Sequence, residues 1–161
     1  MGVRTWTSTR SAAARTSRPL YARPGYLAML VVGGGLGTAL RSWLEGRFVT
    51  TTGGCPWATF TINVAGSLLL AMLITTLARS GPDSGWRRRV RVGVGTGVLG
   101  GFTTYSTFIV ETDQLLRGGH VGLGFAYAVG SVVTGVAAAF VGVLVARRAP
   151  RVAPLATEEQ V

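Results

Sequence analysis

Apolar positions along this chain are gathered into four long runs, and the polar positions are confined to the stretches between them. The runs extend over about 25–43, 57–77, 92–116 and 121–145. Each is long enough to cross a hydrocarbon core, which takes roughly 20 helical residues. Backbone in lipid has no water to bond to, so such runs must close their hydrogen bonds internally as helices. The pattern therefore predicts an all-α integral membrane protein. It places a four-helix membrane domain over 25–146, between a 1–24 tail and a 147–161 tail. Trp43, Trp57 and Trp86 stand near the ends of runs, where indoles anchor at the interface.

The third run breaks its own pattern. The segment GGFTTYSTF, Gly100 to Phe108, packs two glycines, five hydroxyl side chains and three aromatics into nine residues. That is poor material for a helix interior. Two readings follow. Either the helix stays intact, with hydroxyls bonding back to earlier carbonyls, or Gly100–Thr103 unwinds and frees its carbonyls. Unwound backbone at membrane depth survives only against protein, water or an ion.

Composition adds to this picture. Only 14% of residues are charged, against about 25% in a soluble domain. Glycine accounts for 24 of 161 residues, which suits closely packed membrane helices. One Cys and one His exclude an internal disulfide and a zinc site.

The net charge of +10 comes from arginine alone. The arginines flank the apolar runs and form no single basic face, so they argue for membrane flanks and against nucleic acid. Thirteen lie in the N-terminal tail, the loop between runs two and three, and the C-terminal tail. The other side holds only Arg41, Arg47 and Arg117. The positive-inside rule then predicts cytoplasmic N- and C-termini in the cell membrane. The basic, acid-free N-terminal tail reads as disordered, and a transit peptide is the alternative its composition allows.

Polar residues inside the runs are the candidates for chemistry. In run two, Thr59, Asn63 and Ser67 are spaced four apart and share a helix face. Asn63 fits equally as helix–helix glue and as a pore-lining donor. In run three, Gly93, Gly97 and Gly101 repeat every four residues and point to close helix contact. Tyr105 and Phe108 share a face, either as packing or as ring edges offered to a small anion. Glu111 either reaches for headgroups or is a functional acid. In run four, Tyr127, Ser131 and Thr134 form a possible hydroxyl track. Gly33 and Gly37 in run one read as packing, and Arg41 pairs with an acid or meets headgroups. No nucleophile–base arrangement is evident, so an enzyme is not expected.

GGGLGTALR, TFTINVAGS and GVLGGFTTYSTFIVE, in this order and spacing, resemble the Fluc or CrcB family of fluoride channels. The similarity covers about residues 30–145. It implies a fluoride-selective channel, built as an antiparallel dimer of four-helix subunits whose third helix is broken at mid-membrane. It also implies a structural Na⁺, not transported, held by the carbonyls of Gly100 and Thr103. The pore residues it implies are Asn63, Thr59, Tyr105 and Phe108, with Tyr127, Ser131 and the acid Glu111. Tyr105 departs from the phenylalanine usual there. The arginine bias suggests a partner of opposite bias, a heterodimer with a paralogue, as the alternative to a homodimer. Two other functions stand beside the channel: a small proton-coupled cation exporter and a non-transporting membrane scaffold subunit.

Overall fold

The computed structural model describes residues 23–48 and 53–149. The described residues are helical throughout, apart from the connections. The helices are α1 (Pro24–Arg47), α2 (Trp57–Ser80), α3 (Gly85–Val90), a π-helical segment (Arg91–Leu99), α4 (Gly100–Phe102), α5 (Ser106–Arg117) and α6 (Val121–Arg148). Three of them, α1, α2 and α6, are long and apolar enough to cross a membrane. Most of residues 1–24 and 147–161 lies outside the described residues. Of the expected tails, Pro24 instead opens α1, and Arg147 and Arg148 close α6.

Local chemistry sets the ends. Pro24 takes the first helical position of α1, where its missing N–H leaves nothing unpaired. Gly81, with φ +136°, stops α2 in a conformation few side chains adopt. The last turns of α1, α2 and α6 carry Arg47, Arg79 and the Arg147–Arg148 pair, cations that suit the negative end of a helix dipole.

α6 lies along α2, and α1 lies along the π segment and α4. Both contacts depend on missing side chains. A Cβ at Gly33 would come within 2.6 Å of the Gly93 carbonyl oxygen, and one at Gly37 would overlap that of Val98. A Cβ at Gly101 would overlap the Gly34 carbonyl. The Gly93, Gly97 and Gly101 repeat thus faces α1, as the spacing predicts. On the other side, a Cβ at Gly142 of α6 would run into the α2 backbone at Leu68.

The third run differs from its expectation in two respects. Over Arg91–Leu99 the backbone takes the wider π winding, and Gly100 N–H still bonds back to Gly95. The unwound residues also lie later than the expected Gly100–Thr103. Gly100–Phe102 stays helical, and Thr103 N–H completes the turn by donating to Leu99 O at 3.0 Å. Helical backbone ends at Thr103, with ψ 150°, and resumes at Ser106. The cause is a competing partner for the next peptide, described below.

Large apolar side chains point outward along every long helix. Val31, Leu36, Phe125, Val136 and Phe140 are each more than 60% exposed. A surface this apolar calls for lipid or another protein around it.

Candidate functional site

The interruption between α4 and α5 is built around Asn63. Its side-chain amide donates to Thr104 O at 2.9 Å, and its carbonyl accepts from Thr104 N–H at 2.8 Å. Both backbone groups of Thr104 are therefore taken by a residue of α2. This is why Thr104 N–H does not continue the helix, and why the chain can leave helical geometry without orphaned polar groups.

Thr104 is also a buried hub. Its hydroxyl donates to Thr107 Oγ1 at 3.0 Å and accepts from Thr107 N–H at 3.2 Å, capping the start of α5. Arg41 of α1 reaches the same hydroxyl of Thr107 at 3.3 Å while paired with Glu45 at 3.2 Å. Thr104 is not singled out by the sequence, whereas Arg41 takes the first of its two expected roles, pairing with an acid, Glu45. The spacing of Thr104 and Thr107, a hydroxyl three residues ahead of a helical amide, is the signal that finds the cap.

A second polar cluster lies further along α5. Glu111 accepts from Thr59 Oγ1 at 2.8 Å on one carboxyl oxygen and from Tyr127 OH at 2.7 Å on the other. Thr59 is fully buried and Tyr127 only 3% exposed. Three elements thus meet at one carboxyl group, α2, α5 and α6. Phe108 joins this cluster to the interruption. Its ring centroid is 5.4 Å from that of Tyr127 and 6.1 Å from that of Tyr105.

Beside the interruption, on the side of Asn63 away from Thr59, opens a cleft of about 310 Å³, lined by Asn63, Ser67, Thr103, Thr104, Tyr105, Phe108 and Ser131 among others. Ser131 Oγ is buried there without a hydrogen-bond partner among the described residues. Asn63 keeps one amide N–H beyond the bond to Thr104. The Tyr105 ring is 76% exposed. The cleft therefore offers a hydroxyl, an amide N–H and two aromatic rings, and no charged group lines it among the described residues.

The structure brings together Thr59, Asn63, Thr103, Tyr105, Phe108, Glu111, Tyr127 and Ser131. It leaves out Thr134, which is exposed on α6 and bonds back to Gly130 O. Gly100 is exposed on the α4 turn. Among the described residues, the carbonyls of Gly100 and Thr103 accept no hydrogen bond. Near the glutamate cluster, burial and then the Glu111 charge push the Cys55 thiol above its ordinary pKa.

Comparison with known proteins identifies the arrangement. Residues 28–143 match the family model described as CrcB-like protein, Camphor Resistance (CrcB). The chain belongs to the CrcB family. It is 44% identical over 129 residues to a fluoride-specific ion channel FluC 2 of Leifsonia xyli, covering 80% of this chain and 88% of the relative. It is 46% identical over 124 residues to a fluoride-specific ion channel FluC of Novosphingobium aromaticivorans, with 74% and 94% coverage. The CrcB match spans every element that builds the cleft, from α1 through most of α6.

Proposed function

We propose that this CrcB-family chain is a fluoride-selective channel that lets fluoride leave the cell passively and so lowers its cytoplasmic concentration. The observation that carries the reading is the uncharged cleft beside Asn63. Fluoride is small and strongly hydrated, so a pore that removes its water must return hydrogen bonds. The free Asn63 N–H, the partnerless Ser131 hydroxyl and the positive ring edges of Tyr105 and Phe108 are such donors. Several weak sites in series allow both entry and exit. Relatives at 44–46% identity carry the name fluoride-specific channel, which supports the same assignment.

The reading includes four membrane helices, with α3, the π segment, α4 and α5 acting together as the third, interrupted at Thr103–Tyr105. It includes an antiparallel partner subunit, which would cover the exposed Tyr105 and close the open side of the cleft. Whether that partner is a second copy or an oppositely biased paralogue turns on orientation, and the arginine bias favours a paralogue. Both termini are cytoplasmic in this reading.

A structural Na⁺ belongs to it as well. The free carbonyls of Gly100 and Thr103 are hard oxygen donors and fit a hard cation. Bound there, the ion would neutralise carbonyl dipoles at the subunit junction. This chain's own part is to keep those carbonyls out of helical bonding: Asn63 takes the Thr104 N–H that would reach Gly100 O, and the Thr104 hydroxyl takes the Thr107 N–H that would reach Thr103 O.

The test is reconstitution in liposomes with a fluoride electrode. Fluoride efflux without a proton gradient, and none for chloride, is the expected result. Fluoride efflux that requires a proton gradient would overturn the passive channel, and no fluoride efflux would return the assignment to the cation exporter or the scaffold.

A further inference from the structure

At the end of the molecule away from Glu111, α2 finishes in Leu77–Arg79–Ser80–Gly81, and Arg87 of α3 folds back over it. Arg87 Nε donates to Ser80 Oγ at 3.1 Å, and that hydroxyl donates in turn to Leu77 O at 2.8 Å. The guanidinium carbon stands 5.4 Å from the centroid of the Trp86 ring. On its other side the group lies against Gly81, where a Cβ would come within 3.2 Å of it. The guanidinium is therefore fixed at three points. Its two terminal nitrogens make no hydrogen bond among the described residues.

Neighbouring charges are arranged around this fork. Asp83 is the acid in the same loop, and Arg88 and Arg91 take it up, Arg91 through two bonds at 3.0 and 2.7 Å. Arg79 bonds to Ala146 O and so fastens the end of α6 beside the end of α2. That contact brings Arg147 and Arg148, both exposed, to the same end of the molecule. Trp86 beside it is 46% exposed, and indoles near the ends of membrane helices anchor among headgroups.

We propose that Arg87, held by Ser80, Trp86 and Gly81, is a binding site for the phosphate of an anionic phospholipid, with Arg147 and Arg148 adding attraction. A planar guanidinium with paired free N–H groups matches phosphate oxygens two at a time. The helix ends around it put the site at the bilayer surface, so the source of phosphate is lipid. The proposal rests on membrane placement alone and is independent of what the channel conducts.

The experiment is native mass spectrometry of the full chain, with phosphatidylglycerol and phosphatidylcholine offered in equal amounts. Wild type is expected to retain phosphatidylglycerol preferentially. Arg87→Gln is expected to reduce that preference roughly fivefold or more, since charge-assisted bonds are lost. Arg87→Lys keeps the charge without the fork and is expected to fall between them. Arg117→Gln, at the opposite end and paired with Asp113, is expected to leave the preference unchanged. Equal retention by wild type and Arg87→Gln would overturn the site, and equal retention by Arg87→Lys would overturn the fork. Displacement of the lipid by inorganic phosphate at equal concentration would overturn the choice of lipid.

Discussion

Asn63 carries two duties with one side chain. Its carbonyl and one N–H hold the Thr104 peptide, and its other N–H is left for the cleft. From sequence the residue divides evenly between glue and pore donor, because spacing gives its face and not its partners. Asn63→Asp replaces the N–H donor with an oxygen facing Thr104 O, and adds a charge that repels an anion. We expect fluoride efflux to stop, and normal efflux would remove Asn63 from the pathway. Asn63→Ala would strand the Thr104 N–H and C=O, at about 1–3 kcal/mol for each group left buried. A lowered thermal midpoint, even in the absence of fluoride, checks that cost. Tyr105 makes the complementary case. Its hydroxyl has no partner among the described residues, so Tyr105→Phe should leave efflux within a few-fold of wild type. Loss of efflux in that variant would mean that the phenol itself meets the ion.

Among the elements, α1 and the π segment make the contact that the glycine spacing announces. GxxxG patterns say that two helices approach closely, and the pairs here can be named: Gly33 with Gly93, and Gly37 with Val98. Gly37→Ala would drive a methyl into the Val98 carbonyl, which neither backbone can avoid cheaply. We expect a loss of about 1–3 kcal/mol or more, typical of overpacking, read as a drop in thermal midpoint in detergent. Gly35→Ala is the control, since a Cβ there has nothing within 4 Å. It should be neutral or gain up to about 1 kcal/mol from helix propensity. Equal effects of the two would mean that α1 does not dock through this face. The π winding of Arg91–Leu99 was not legible in the sequence. Glycine-rich composition permits it, and the π segment packs along α1.

For the whole molecule, the arginine bias predicts one fixed orientation in the membrane. Cys55 is the only thiol and lies outside the spans. An impermeant maleimide should label it from the outer face alone if orientation is fixed. Labelling of about half the copies from each side would establish dual insertion and remove the need for a paralogue. Burial, and then the Glu111 charge, raise the thiol's pKa, so less thiolate is present at neutral pH than for a free cysteine. Labelling should therefore quicken as pH climbs through and past the free-thiol value of about 8.5. A midpoint at or below that value would place Cys55 away from Glu111.

The amino-acid sequence by itself determined that this is a helical membrane protein, where its long apolar helices lie, and which residues share a face. Those properties follow from local rules: apolar length, helical period and charge at the ends of runs. Only the tertiary structure decided where helical bonding stops. The glycines of GGFTTYSTF remain helical, and the chain leaves the helix at Thr103, because Asn63 of α2 takes both polar groups of the next peptide. Likewise, the sequence leaves Glu111 between a headgroup contact and a functional acid, and only the fold gives it partners, Thr59 and Tyr127 from two other helices. A hydrogen-bond partner distant in sequence has no signature in local pattern, and at this site the distant partners set the geometry.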